Sequence, residues 1–187
     1  MSVFADLWLP ILLSSVFVFI ASSILHMAIP IHKGDYKKLP NEDDVLGAMK
    51  THGVGPGHYM FPCAPSMKAA GTPEMLEKYG KGPCGFMTVV PDGPPAMGKN
   101  LVLWFLYSVL ISVFVGYVAK LALPAGTEYG TVFRVAGTTA ILAYGVAQIQ
   151  DSVWKAQSWT VTMKFLFDGI VYGLVTAGTF GWLWPGV

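Results

Sequence analysis

Charge is what this sequence has least of. Aspartate, glutamate, lysine and arginine make up 12% of its 187 residues, about half of the ~25% usual in soluble domains. The net charge of +1 is too small to hold nucleic acid or to form a polybasic membrane patch. Cysteine is nearly absent: Cys63 and Cys84 are the only two. They lie too far apart for the C-x-x-C pair that small membrane thiol oxidoreductases use. Histidine is scarce inside the apolar runs, where only His26 occurs, so bis-histidine haem ligation between facing helices is excluded. The chain also has no phosphate-cradling G-x-x-x-x-G-K-[ST], no nucleophile elbow and no H-E-x-x-H. No cofactor is expected.

What is present is apolar sequence, 53% of the chain. Residues 7–29, 101–123, 131–149 and 161–183 are long enough to cross a ~30 Å hydrocarbon core, which takes ~20 helical residues. The expected fold is an all-α integral membrane protein of four transmembrane helices. The first run has no basic residue before it, only Asp6, and is longer than the apolar core of a secretory signal, so a retained helix is expected. Pro10 falls in a first turn, while Pro30, Pro124 and Pro185 follow last turns, where a missing N–H costs little.

Lysines suggest the orientation. Lys33, Lys37, Lys38, Lys99, Lys155 and Lys164 gather on one side, against Lys120 and Arg134 on the other. Basic residues favour the cytoplasm, so both termini are expected outside. All six tryptophans fall at run ends, where an indole ring meets both lipid and water.

Lipid tails are as apolar as leucine, so helix association must come from small residues and interhelical hydrogen bonds. The fourth run carries Gly169, Gly173, Ala177 and Gly181 at four-residue steps. The third offers Gly137, Ala140, Ala143 and Ala147, which predicts a tight hairpin of the two. In the first run Ser15, Ser22 and His26 fall near one helical face.

Two constellations carry candidate chemistry. The first is a polar cluster at one membrane face: His26, Gln148, Asp151, Lys164 and Asp168. An ionisable group inside a membrane is expensive and suggests function, here a proton or ion relay. The plainer reading is preferred: Lys164 and Asp168 pair at i,i+4, and His26 with Asp168 clamps the first helix to the fourth. The second set is His52, His58, Cys63 and Cys84, two imidazoles and two thiols of the kind that bind zinc. Their spacing lacks the paired knuckles of structural zinc sites, and scattered methionines nearby suit packing better than copper.

Residues 30–100, between the first and second runs, hold 15 of the chain's 23 formal charges, both cysteines and three of its four histidines. Asn41 followed by Glu42, Asp43 and Asp44 predicts a helix start, with Gly53 as its stop. Thr72-Pro73-Glu74 predicts a second short helix, ending at Gly80. Tyr59-Met60-Phe61 and residues 85–90 read as short strands able to pair as a small ribbon, marginal on its own. Dense glycine and proline punctuate this insert.

The chain resembles a group of small bacterial four-helix inner-membrane proteins. The residues that carry the resemblance are His32-Lys33-x-Asp35-Tyr36-x-x-Leu39-Pro40-x-Glu42-Asp43 and Pro56-Gly57-x-Tyr59-Met60-Phe61-Pro62. Residues 85–89 (GFMTV) and 176–185 (TAGTFGWLWP) complete it. The resemblance implies a bacterial inner-membrane location and supplies no activity or site residue. The expected function is a non-enzymatic structural or accessory protein, touching the lipid bilayer and contacting a protein partner, or another copy of itself, through a cytoplasmic insert. The alternative is a small transporter or metal-handling protein using His26 and Asp168, or the insert's histidines and cysteines.

Overall fold

A computed structural model describes residues 3–186. Four helical stretches are long and apolar enough to cross a membrane: Ala5–Ala28, Met97–Ala122, Tyr129–Trp154 and Trp159–Trp182. The chain divides into two compact units, one ending at Asp35 and resuming at Ala96, the other spanning Tyr36–Pro95. The fold is that of an all-α multi-pass membrane protein with a mixed insert.

The membrane unit begins with α1 (Val3–Ser23), which widens into a π-helical turn over Ile24–Ala28. The Ile29 amide closes that turn on the Ile24 carbonyl at 3.0 Å. Pro30, which has no N–H to continue a helix, opens a 3-10 turn ending at His32.

The insert unit contains α2 (Glu42–Thr51), β1 (Gly57–Phe61), α3 (Met67–Ala70), α4 (Pro73–Lys81) and β2 (Gly85–Val89). The strands pair antiparallel with Tyr59 opposite Met87. Thr72 caps α4 by accepting from the Met75 amide at 3.4 Å. Asn41 differs from its expected role: its backbone is left-handed, with φ of 46°, and its side chain caps nothing. The Ser66-capped α3 was not foreseen in the sequence. No residue of α2, α3 or α4 is fully buried.

The chain returns to the membrane unit with α5 (Met97–Ala122) and α6 (Tyr129–Tyr144), then α7 (Ile149–Trp154) and α8 (Trp159–Trp182). The most extensive helix contact is between α6 and α8, and glycine is the reason. A β-carbon added at Gly169 would lie 2.3 Å from the Gly145 Cα. One at Gly173 would lie 2.3 Å from Ile141 Cγ1, and one at Gly181 2.7 Å from the Tyr129 ring. This contact also explains a departure from the expected third run over residues 131–149. The helix breaks after Tyr144 and resumes through a 3-10 turn as α7, with the backbone of Gly145 pressed against α8 at the break.

Helix α1 packs on α5 and α8. Leu7 and Ile11 approach Gly116 together with Phe180, and Ser14 and Ser15 both reach Ser112, at 3.0 and 3.2 Å. Trp104 is not a surface anchor: it donates its indole N–H to Ser22 at 2.8 Å. Trp184 is buried and donates to the Pro124 carbonyl at 3.0 Å. Near the start of α1, Lys120 pairs with Asp6.

Candidate functional site

The π-helical turn sets the site. Inserting a residue into the helical repeat rotates the residues beyond it, and such turns are frequent at functional positions. Here it carries His26. The extended backbone at Ile29 and the 3-10 turn after it fold the chain back. His32 therefore lies flat on His26, ring centroids 4.3 Å apart and planes within 5°. Phe165 of α8 flanks His32 at 5.2 Å.

Asp168, on α8, faces both rings. Its Oδ2 lies 2.8 Å from His32 Nε2 and 3.8 Å from His26 Nε2. The other nitrogen of each ring has a partner. His32 Nδ1 is 2.7 Å from Asp35 Oδ2, and His26 Nδ1 is 3.1 Å from the Ser22 carbonyl oxygen. Asp35 in turn pairs with Lys164. The result is a continuous network of Lys164, Asp35, His32, Asp168 and His26.

Burial differs from member to member. The side chains of Asp168 and Asp35 are 2% and 5% exposed, against 41% for His26. The Lys164 ammonium beside Asp35 holds its carboxyl below the usual carboxylate range, with burial opposing and His32 assisting. Asp168 is less well provided. Among the described residues neither of its oxygens has an aligned hydrogen bond, and nor does His32 Nε2. The 2.8 Å approach of His32 to Asp168 is therefore a close contact rather than a directed bond. The Tyr172 hydroxyl, one turn along α8, is also buried without a partner.

The structure brings together part of the set read from the sequence. His26 and Asp168 do meet. Lys164 does not pair with Asp168 four residues on; it reaches Asp35 across the unit. Asp151 pairs instead with Lys155 at 2.8 Å, and Gln148 lies in the 3-10 turn before α7; among the described residues neither hydrogen-bonds to Asp168. His32 and Asp35, outside the polar cluster read from the sequence, are the central members. Pro30 marks the helix end in the sequence, but the turn back that it allows at His32 has no sequence period.

The insert set is not gathered. His58 contacts the Thr88 hydroxyl at 3.1 Å across the ribbon, and Cys63 and Cys84 are free, exposed thiols. Among the described residues, the one group of three or more histidine, cysteine or carboxylate side chains placed to share an ion is His26, His32 and Asp168. Their donor atoms all lie within 4.8 Å of one another. No protein-family model, curated protein or solved structure matches the chain, so the site is read from its own geometry.

Proposed function

We propose that this is a non-enzymatic accessory protein of the bacterial inner membrane, in which four helices hold a cytoplasmic insert by its root for a protein partner. The observation that carries this reading is His32 seated between Asp168 and Asp35. Asp35 is the last residue of the membrane unit before the insert begins at Tyr36. The network thus pins the segment that leads into the insert against α8. The insert itself supports a partner, for it leaves large apolar side chains in solvent: Tyr36, Met67, Leu76, Phe86 and Val90 are all at least half exposed. Exposed apolar surface of this extent suits a protein contact.

Transport, the competing reading, asks for polar stations across the whole bilayer. Ser14, Ser15, Ser108, Thr176 and Thr179 are buried, yet each donates to a carbonyl of its own helix. Such hydroxyls serve the backbone rather than a moving ion.

Site-directed photo-crosslinking in cells tests the proposal. A photoreactive residue at Leu76 or Phe86 is expected to give a discrete protein adduct, heterologous or to a second copy. The same residue at lipid-facing Leu103 or Leu110 is expected to give none. Absence of any adduct from the insert positions contradicts the reading. Labelling Cys63 and Cys84 in intact cells with an impermeant thiol reagent tests orientation, and selective labelling would place the insert outside.

A further inference from the structure

We propose that His26, His32 and Asp168 form a binding site for one divalent first-row transition metal ion. The ring protons are placed by their partners. A carboxylate and a carbonyl can only accept, so the contacts of His32 Nδ1 with Asp35 and of His26 Nδ1 with Ser22 place an N–H on each Nδ1. In the neutral rings each Nε2 then presents a lone pair. Both of those nitrogens lie near the same carboxylate oxygen, at 3.8 and 2.8 Å. Three such atoms held this close call for a positive charge among them.

A single proton on the line from His32 Nε2 to Asp168 Oδ2 does not answer the geometry, because that 2.8 Å approach is not aligned as a hydrogen bond. A cation set off the line does. Metal–ligand bonds of about 2.0–2.2 Å put neighbouring donors about 3.0–3.5 Å apart. The observed separations of 2.8 and 3.8 Å bracket that range. Among the described residues both Asp168 oxygens are buried without a hydrogen-bond partner, an expensive condition for a carboxylate that a metal ion relieves.

The surroundings match a metal site's outer shell. A ligating histidine typically gives its second N–H to a carboxylate or backbone carbonyl, which fixes the ring and makes it a better donor. Asp35 and Ser22 fill those two roles. Lys164 neutralises Asp35, which leaves the Asp168 charge for the ion. Two imidazoles and one carboxylate leave coordination positions open and suit zinc or ferrous iron better than the all-oxygen sites of magnesium and calcium. His26, the most exposed ligand, gives the ion its way in.

This inference uses the same residues as the clamp but does not stand or fall with it. The test is metal content of the full-length protein in detergent, stripped with chelator and dialysed against zinc, with cobalt as a spectroscopic stand-in. The expected result is about one zinc per chain, and cobalt absorption bands of a low-symmetry nitrogen–oxygen site. His26→Gln, at a half-exposed position where folding is safe, and Asp168→Asn are expected to lose the metal. Asp35→Asn keeps the stoichiometry and weakens affinity about 10–100-fold. His52→Ala and Cys63→Ser change nothing. A wild-type protein that retains no metal overturns the proposal, as does zinc that survives His26→Gln and Asp168→Asn or departs with the insert variants. Clamp failure reads separately, as an unchanged melting temperature of metal-free Asp168→Asn.

Discussion

His32 Nε2 lies 2.8 Å from Asp168 Oδ2, joining the turn after the first membrane helix to the buried flank of the fourth. Asp168 is almost wholly enclosed, where an uncompensated carboxylate would be costly. The two histidines beside it make its burial tenable. The same contact fixes the last turn before the insert, so one arrangement answers both an electrostatic need and a mechanical one.

Replacing Gly169 by alanine should strongly destabilise the α6–α8 pair, because the new methyl meets Gly145 backbone at 2.3 Å and the backbone cannot yield as a side chain would. Overpacking of this kind costs about 1–3 kcal/mol or more. Gly178→Ala is the control: its nearest neighbour is the Tyr129 hydroxyl at 3.7 Å. Thermal unfolding in detergent should separate the two.

Ser112→Ala removes the shared partner of Ser14 and Ser15. Both of those hydroxyls also reach the Ile11 carbonyl, so neither is left alone. The expected loss is small, about 0.6 kcal/mol as for typical interhelical bonds in membranes. A loss several times larger would show that these serines carry the α1–α5 contact.

Tyr172→Phe should leave the fold intact and raise the melting temperature or leave it unchanged. Among the described residues the Tyr172 hydroxyl is buried without a hydrogen-bond partner, a condition that costs about 1–3 kcal/mol. The ring, which packs against Tyr144 and Trp104 at 5.5 and 5.8 Å, is retained. A clear drop in stability would show that the hydroxyl has a partner in the folded protein.

The spans and the glycine stripe were legible because they rest on local signals. Length and apolarity mark a membrane helix, and Gly169, Gly173 and Gly181 fall on one face by helical period alone. The site was half legible. His26 and Asp168 stand out as ionisable groups within apolar runs. His32 and Asp35 do not, for their role depends on a chain reversal after Pro30 that obeys no period. Lys164 was misassigned for a related reason: the i,i+4 rule names its neighbour on the helix, whereas Asp35 approaches from elsewhere in the fold. The break after Tyr144 was likewise hidden, since Gly145 departs from the helix where it meets Gly169.

The most direct measurement of the central claim is a double-mutant cycle on His32 and Asp168, read as stability of the metal-free protein in detergent. His32→Ala and Asp168→Asn are each expected to destabilise by about 1–3 kcal/mol. The double variant should cost distinctly less than their sum, with a coupling of about 0.5–3 kcal/mol. Strict additivity, or single variants as stable as the parent, would contradict a clamp between these two residues.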